Sequence, residues 1–290
     1  TGNSIGGIVG VAQHTTITNC NNFGRVCGLI YVGGIAGRGA AAPIEILYCN
    51  NFGSISKGVN GGIKGGLGGL GGTDIIKNNT NFGKVFGCSR TGGILGDAKD
   101  INVHNANYGI IDLQPSSSSC DDYGSCFGKV YSVVTGDNFY DKQMSIYGGI
   151  DDVDVVGVAE GRLTEDMVGN GLRSVWGDSV YIYEDSLYPR LGNLPAHYVG
   201  ASPIFLDVRS SVDYDTYNDI KHCFKLSTKH GVIWSSTTGR VSIVGNRAIL
   251  NNIGWDTLNC SIGIYKKQIP ICITAINNDC YDSVNVILVS

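Results

Sequence analysis

Hydrophobic residues in the first part of the chain occur in short runs that are separated by Gly and Asn. The stretch 5–10 reads IGGIVG and the stretch 17–26 reads ITNCNNFGRV, and this pair of motifs then recurs three times. The aromatic residue of the second motif advances in steps of 29, 30 and 26 residues, through Phe23, Phe52, Phe82 and Tyr108. A repeat of that length is typical of an array of stacked structural units.

Each copy contains three apolar runs rich in β-branched residues, and none has the 3.6-residue period of an amphipathic helix. We therefore predict that one copy forms one coil of a β-solenoid, in which equivalent residues of successive coils stack about 4.8 Å apart. An inward Ile or Val must then meet an apolar residue in the next layer, and a corner with positive φ is expected to need Gly or Asn in every layer. The repeated Asn-Phe/Tyr-Gly is interpreted as a corner with an aromatic stack rather than as a ligand site.

The motif order G-G-I-x-G followed by N-x-x-N-x-G-x-V, over residues 4–113, resembles the GLUG repeats of bacterial surface and secreted proteins. The resemblance implies an extracellular, often adhesin-like setting, and it assigns no catalytic residue. In the third copy, residues 61–72 offer two overlapping versions of the first motif, so the local register is open.

The repeat is interrupted at 114–119, QPSSSS, which is predicted to be a loop, and 127–130 with 133–134 are predicted to form a degenerate last coil. Four further motifs follow in order: Tyr140-Asp141-Lys142, Leu163-Thr164, Trp176 and Tyr188-Pro189-Arg190-Leu191. This order resembles the segment that commonly follows GLUG arrays and closes the solenoid. We expect Thr164 to be the N-cap of a short helix. We also expect Trp176, Tyr188 and Leu191 to cover the apolar end of the last coil.

Residues 203–290 are predicted to form a separate β domain. Strand candidates recur with turn residues between them, at 204–208, 223–227, 232–235, 241–244, 248–250, 260–265, 269–275 and 284–289. This spacing is typical of a β-sandwich. The stretch VIWSS at 232–236 followed by GRV at 239–241 resembles bacterial Ig-like domains of surface proteins. The predicted fold is therefore all-β, with a solenoid over 1–135, a cap and linker over 136–202, and an Ig-like β-sandwich over 203–290.

Charge and hydropathy exclude some classes of partner. The net charge is -4, with acidic residues concentrated in 136–202 and no basic face, so nucleic acid is not an expected partner. The chain contains no run of 18 apolar residues and does not open on a signal-peptide pattern. Because it starts directly on a repeat, we interpret it as a processed form or a fragment, so the missing signal does not argue for the cytoplasm.

The 10 cysteines show no spacing typical of a zinc site. Cys20 and Cys49 occupy the same repeat position, so we predict that they are neighbours in adjacent coils. Layer spacing fits either a disulfide or a pair of reduced, buried thiols. Cys120 and Cys126 are candidates for a disulfide that closes a small loop, and the even total suits an oxidising compartment.

No residue pattern predicts catalysis, and we assign no catalytic, cofactor-binding or metal-binding residue. None of the histidines lies in a Ser, Cys or metal motif: they are His14, His104, His197, His222 and His230. Glu165 and Asp166 are better explained by a helix start than by hydrolysis. The acidic stretch 151–154 lacks an EF-hand loop and is interpreted as a solvated loop rather than a cation site.

The sequence therefore predicts a secreted or surface structural module, not an enzyme, that works in adhesion or extracellular assembly. Its expected partners are other protein subunits. Either the chain associates head to tail through the edge at 5–8 and the apolar strand at 284–289, or a missing upstream segment covers that edge. The alternative is glycan binding or processing on a solenoid face. For that alternative the sequence offers only exposed Asn and aromatic residues.

Overall fold

A computed structural model of the chain is all-β, and its larger part is a parallel β-solenoid. The structure describes residues 3–39, 43–57, 62–69, 74–113, 120–145, 147–185, 187–192, 194, 213–214, 223–225, 233–245, 247–262, 265–278 and 281–288. The chain divides into two compact units, Thr1–Ala201 and Ser202–Ser290.

The solenoid has four coils that correspond to the four sequence repeats. Coil 1 consists of β1 (Ser4–Gly6), β2 (Val9–Ala12), β3 (Thr15–Thr18), β4 (Asn21–Asn22) and β5 (Val26–Gly28). Coil 2 consists of β6 (Tyr31–Gly33), β7 (Ala36–Gly39), β8 (Ile44–Leu47), β9 (Asn50–Asn51) and β10 (Ile55–Lys57). Coil 3 consists of β11 (Ile63–Gly65), β12 (Asp74–Lys77), β13 (Thr80–Asn81) and β14 (Val85–Gly87). Coil 4 consists of β15 (Thr91–Gly92), β16 (Leu95–Val103), β17 (Ala106–Asn107) and β18 (Ile111–Leu113).

Equivalent strands of successive coils pair in parallel and build four long sheets. Sheet A contains β1, β6, β11 and β15; sheet B contains β3, β8, β12 and β16; sheet C contains β4, β9, β13 and β17; and sheet D contains β5, β10, β14 and β18. The register follows the sequence repeat, since Ile17 lies beside Ile46 and Ile55 beside Val85. The prediction of one coil per repeat is therefore confirmed.

The structure also settles the register of the third coil, which the sequence left open. Gly65 pairs with Gly33 of coil 2 and with Gly92 of coil 4. The copy of the first motif that aligns with the other coils is therefore 65–69, GGLGG, rather than the version that starts at residue 61.

Further strands continue the sheets beyond the fourth coil. They are β19 (Tyr123–Gly124) in sheet A, β20 (Phe127–Gly136) in sheet B, and β21 (Asn138–Asp141) and β22 (Ala159–Arg162) in sheet C. Strand β20 confirms the predicted degenerate coil at 127–134, whereas the predicted loop at 114–119 lies outside the described residues. Next come a 3₁₀ helix (Thr164–Asp166), helix α1 (Arg173–Trp176), and the antiparallel pair β23 (Tyr181–Ile182) and β24 (Arg190–Leu191). These helices, the longest of which has four residues, are far too short to span a bilayer, and no other described helix could.

Thr164 is not the N-cap of the 3₁₀ helix, so that prediction is wrong. The N-cap position is held by Leu163, and no side chain caps the helix. The Thr164 hydroxyl instead donates to Asp141 Oδ2 at 2.5 Å, and its amide donates to Gln143 Oε1 at 3.0 Å. Both of its polar groups are thus used to join the helix to the solenoid.

The solenoid core consists mainly of inward Ile, Val and Leu residues, as the pattern predicted. One cluster follows the interior past sheet B and includes Ile17, Ile35, Ile46, Ile76, Ile94 and Phe127. A second cluster lies behind sheet D and includes Val26, Val32, Ile55, Val85 and Ile111. Because every layer offers an apolar residue to the next, each cluster is continuous through coils 1 to 4.

The corners with positive φ differ from the expectation. Five of the residues with positive φ form one row immediately before sheet C, with φ between 52° and 56°: Asn19, Tyr48, Asn78, His104 and Asp137. The row contains no Gly, and only two of its residues are Asn. The amides of the next residues, Cys20, Cys49, Asn79 and Asn105, donate interlayer hydrogen bonds. These bonds oppose the strain of roughly 1–2 kcal/mol that an L-residue has in this conformation. The Asn-Phe/Tyr-Gly motif does lie at a corner, between sheets C and D, as predicted, but it shows no positive φ.

The described strands of the second unit form two antiparallel sheets. In chain order they are β25 (Asp213–Tyr214), β26 (Cys223–Lys225), β27 (Ile233–Ser236), β28 (Val241–Val244), β29 (Arg247–Leu250), β30 (Gly254–Ile262), β31 (Tyr265–Asn278) and β32 (Tyr281–Leu288). The sheet orders are β25-β26-β29-β28 and β27-β30-β31-β32. The predicted strand at 260–265 is wrong, because Ile262 pairs with Tyr265 where the chain reverses. The predicted strand at 204–208 lies outside the described residues.

Asp256 holds the turn between β27 and β28, a role that the sequence did not signal. Its carboxylate accepts hydrogen bonds from the Ser236 hydroxyl at 2.7 Å and from the amides of Thr238 and Val241 at 3.0 Å each. Burial by itself raises the pKa of Asp256, but hydrogen bonds from Ser236, Thr238 and Thr257 outweigh burial and hold the pKa at about 2.

Candidate functional site

A ladder of buried Asn side chains runs along sheet C and joins all four coils. Asn22 Nδ2 donates to Asn51 Oδ1, Asn51 donates to Asn81, and Asn81 donates to Asn107, each at 2.8 Å. The same Nδ2 groups also donate to the carbonyl oxygens of the glycines two residues further on, Gly24, Gly53, Gly83 and Gly109. The side-chain amides of the ladder therefore form their hydrogen bonds within the protein.

The second glycine of the first motif makes room for this ladder. A Cβ atom on Gly34 would lie 2.2 Å from the Asn51 side chain, and one on Gly66 would lie 2.3 Å from that of Asn81. The glycine of the first motif and the Asn of the second thus meet inside the coil. The Asn side chain fits only because the glycine has no Cβ atom. In the fifth layer both change together, since Ser125 and Tyr140 stand where coil 4 has Gly93 and Asn107.

A second row at the entrance of sheet C contains Cys20, Cys49, Asn79, Asn105 and Asn138. Asn79 Oδ1 accepts from the Cys49 amide at 2.8 Å, and Asn105 Oδ1 accepts from the Asn79 amide at 3.1 Å. In the same manner the Cys49 sulfur accepts from the Cys20 amide at 3.4 Å. Thiols therefore replace amides in the first two coils of this row.

The aromatic residues of the repeat form one stack, as predicted. Ring centroids are 4.9 Å apart for Phe23 and Phe52, 4.8 Å for Phe52 and Phe82, and 5.0 Å for Phe82 and Tyr108. Tyr188 extends the stack, with its ring centroid 3.9 Å from that of Tyr108. Phe23 at the other end is 52% exposed, whereas Tyr108 is buried. Ring faces inside the stack are covered by other rings.

The closing motifs converge on one buried carboxylate. Asp141 Oδ2 accepts hydrogen bonds from the Thr164 hydroxyl at 2.5 Å and from the Tyr188 hydroxyl at 2.6 Å, and Asp141 Oδ1 accepts from the Gln143 amide at 2.8 Å. Burial raises the pKa of Asp141, although these hydrogen bonds oppose the shift. This Asp141 node explains why the three motifs occur together, which sequence order alone did not indicate.

The segment that holds Trp176 and Tyr188 packs along the side of the solenoid, not only over its end as expected. Trp176 Nε1 donates to the Asp137 carbonyl at 2.9 Å, and the Tyr181 hydroxyl donates to the His104 carbonyl at 3.2 Å. Residues 179–180 and 191–192 also border a groove of about 510 Å³ beside Asn19 and Tyr48 of the first two coils. The segment therefore covers the corner row and the aromatic stack.

A charged cluster joins coil 4 to the fifth layer. Arg90 Nη1 lies 3.3 Å from Asp97 Oδ2, and Lys129 Nζ lies 3.0 Å from Asp122 Oδ2. Burial raises the pKa of Asp97 to about 6, against the opposing effect of Arg90. Since each of these two cations is paired with a carboxylate, the cluster has the arrangement of a structural ion-pair network.

The other candidate groups remain apart. Asp152 accepts from the Gly148 amide and Asp154 from the Gly149 amide, at 2.9 and 3.0 Å, so these carboxylates hold their own turn. Within the described residues, no three His, Cys, Asp or Glu side chains converge as metal ligands. His104 lies at a corner, and burial lowers its pKa; His14 is exposed on coil 1. His197, His222 and His230 lie outside the described residues.

The cysteine pattern differs from one expectation. Cys88 forms a disulfide with Cys120, so the suggested Cys120–Cys126 loop is wrong. Cys88 and Cys120 occupy equivalent positions before β15 and β19, whereas Cys126 is an inward residue of the core beside Phe127. Cys20 and Cys49 are neighbours in adjacent coils, as predicted, and both are thiols.

Comparison of the chain with models of protein families, with curated proteins and with solved structures found no match.

Proposed function

We propose that the chain is an extracellular structural module that works in adhesion or assembly, without enzymatic activity. In this proposal the solenoid is of the GLUG type and the second unit is an Ig-like domain of a surface protein. The observation that carries the proposal is that the repeated side chains contact neighbouring layers. The Asn amides hydrogen-bond and the aromatic rings stack between layers, as expected of residues that stabilise a solenoid.

The interlayer disulfide supports the extracellular part of the proposal. Cys88 and Cys120 are bonded across two layers, and disulfides persist mainly in oxidising compartments. The net charge of the chain, -4, and the pairing of Arg90 and Lys129 with carboxylates argue against nucleic acid as a partner.

Glycan binding remains the second candidate because of the groove beside Asn19 and Tyr48. Its other described lining residues are Ser179, Val180, Leu191 and Gly192, so the described lining combines an aromatic ring with polar groups and includes no carboxylate or imidazole. That composition fits binding better than hydrolysis. The repeated Asn residues that first suggested a glycan face are buried and hydrogen-bonded.

Antibody labelling of intact native cells tests the main proposal. We expect the chain to be labelled without permeabilisation, whereas labelling that requires permeabilisation would contradict an extracellular role. A polysaccharide array with the purified chain separates the second candidate. Micromolar binding that Tyr48→Ala abolishes, while the exposed Tyr131→Ala leaves it unchanged, would favour glycan recognition.

A further inference from the structure

Cys20 and Cys49 lie one above the other where coils 1 and 2 enter sheet C. The residues that follow them, Asn21 and Asn50, are paired in register. The Cys20 amide lies 3.4 Å from the Cys49 sulfur. The two residues are therefore direct neighbours across a layer boundary.

The same solenoid shows that its layer spacing suits a disulfide. Cys88 and Cys120 are also equivalent residues of adjacent layers, and their Cα atoms are 4.7 Å apart. Disulfides occur at Cα separations of about 4.4–6.8 Å, and neighbouring strands lie about 4.8 Å apart. Because the residues that follow Cys20 and Cys49 are paired in register, this strand spacing also applies to the pair in coils 1 and 2.

The hydrogen-bond ladder explains a thiol at only one of the two positions. The Cys49 sulfur accepts an amide hydrogen bond, as Asn105 does for Asn79 in later coils. Cys20 belongs to the first described coil, and its own sulfur donates only to the local Thr18 carbonyl, at 3.3 Å. A ladder acceptor is therefore not the reason for a second cysteine at this place.

We propose that Cys20 and Cys49 are a redox-active pair that is oxidised to an interlayer disulfide and thereby locks coil 1 onto coil 2. With glutathione disulfide as the oxidant, the Cys20 thiolate attacks one glutathione sulfur and expels one glutathione thiolate. The Cys49 thiolate then attacks the Cys20 sulfur and expels the second. Two electrons pass to glutathione disulfide, and the two thiol protons end on two molecules of glutathione.

The order of attack follows from burial. Cys20 is half-buried and Cys49 is fully buried. Burial raises the pKa of Cys49 to about 12, so little of its thiolate is present at neutral pH. The second step therefore limits the rate, and oxidation is expected to become about tenfold faster for each unit that the pH is raised below that pKa.

Mass-spectrometric mapping of the intact chain tests the proposal. The protein is incubated in glutathione buffers of increasing disulfide content, quenched with acid, unfolded and alkylated. We expect a linked peptide pair that contains Cys20 and Cys49. Both cysteines alkylated in a buffer that keeps Cys88–Cys120 bonded, or either one linked to a different cysteine, would overturn the proposal. Mapping of the unmodified chain decides this without any variant.

Variants and hydrogen exchange test the mechanism and the lock. Cys49→Ser should stop at a glutathione adduct on Cys20, whereas Cys27→Ser, a change at an exposed thiol of coil 1, should leave the link unaffected. Amides of β1 to β5 should exchange at least tenfold more slowly in the oxidised protein than in the reduced protein. Equal exchange in the two forms would disprove the locking role.

Discussion

At the scale of single residues, side chains in this solenoid act through the layers on either side. Asn51 accepts from Asn22, donates to Asn81 and donates to the Gly53 carbonyl within its own coil. A buried polar group that loses its partner costs about 1–3 kcal/mol. One substitution in the ladder therefore affects three coils.

Asn51→Ala removes an acceptor from Asn22 and a donor from Asn81, and it leaves both groups buried. We expect the free energy of unfolding to fall by about 3 kcal/mol, measured by urea denaturation. Asn3→Ala, at an exposed position of the same unit, is the control and should change stability little. Equal losses for the two variants would contradict the ladder.

Substitutions in the aromatic stack should reduce stability by an amount that depends on position in the stack. Phe52 has a ring on both faces, whereas Phe23 has one neighbour and is half-exposed. We expect Phe52→Ala to cost about 3 kcal/mol and Phe23→Ala about 1 kcal/mol. Val156→Ala, at a side chain that is 86% exposed, should be neutral in the same melts. A larger loss at Phe23 than at Phe52 would refute the stack as a source of stability.

Asp97 makes the stability of the first unit depend on pH. Its folded pKa of about 6 lies above the ordinary value of about 3.9. Protonated Asp97 therefore makes its full contribution to the free energy of unfolding below pH 4, and this contribution is lost as the pH rises through 6. Asp97→Asn should raise stability at pH 7 by about 2 kcal/mol and leave it nearly unchanged at pH 4.

Hydrogen exchange of solenoid peptides at the two pH values measures this effect separately from the second unit. The exposed Glu165→Gln is the control and should not raise stability at pH 7. A gain of the same size at both pH values would show that ionisation of Asp97 is not the cause.

At the scale of elements, the segment after the solenoid is held by side chains rather than by a long strand. Strand β22 pairs with β21, and beyond it the Asp141 node and the Tyr188 ring make the connection. Two donors share one carboxylate oxygen of Asp141, so their contributions are not independent.

Tyr188→Phe tests the node, because it keeps the ring on Tyr108 and removes only the hydroxyl. The loss of a hydrogen bond to a buried carboxylate should cost about 2 kcal/mol and should speed proteolysis within 163–192. Tyr183→Phe is the matched control, because it also removes only a hydroxyl. That hydroxyl donates to the Gly177 carbonyl at 2.8 Å in an exposed setting, so its loss should cost little. If Tyr183→Phe is as harmful as Tyr188→Phe, the node is not what holds the segment.

The repeat explains which of these elements could be predicted from sequence. Coils of nearly equal length place Phe23 beneath Phe52 and Cys20 beneath Cys49, so alignment of the copies is enough to predict those contacts. Asp141, Thr164 and Tyr188 lie in a stretch without a repeat, and no period connects them. Cys88 and Cys120 are 32 residues apart, in a layer whose motifs have degenerated, which hid their equivalence.

The sequence shows that the Asn residues recur, but it does not predict that they form a hydrogen-bond ladder between coils. A polar residue at a recurring position suits a corner, a ligand or a ladder equally well. Only the close approach of Gly34 to Asn51 shows that these amides point into the coil. The positive φ of Tyr48 and His104 likewise follows from contacts between layers, which residue preferences do not include.

At the scale of the whole molecule, coil 1 presents an edge. Strands β1 to β5 pair only with coil 2 among the described strands, and large apolar side chains are exposed on this coil: Ile8, Val11, Phe23 and Ile30. Strand β32 is the outer strand of its described sheet. Unpaired strand edges with apolar residues favour association by strand addition.

We expect the purified chain to associate in a concentration-dependent manner, and Val11→Lys to weaken that association at least tenfold. Val156→Lys places the same charge at another exposed valine and should have no effect. Sedimentation velocity measures both variants, and electron microscopy distinguishes a filament with an axial repeat from a closed dimer. A monomer at all concentrations would contradict self-association.

The Cys88–Cys120 disulfide also determines how the solenoid responds to tension. Hydrogen bonds between coils point along the solenoid axis, so a pull on the chain ends peels the layers apart one after another. The bond shields the residues between positions 88 and 120 from that force. With a separation of 32 residues, about 110 Å of contour length stays hidden until the bond is reduced. The chain would therefore extend by different lengths under tension in reducing and oxidising surroundings.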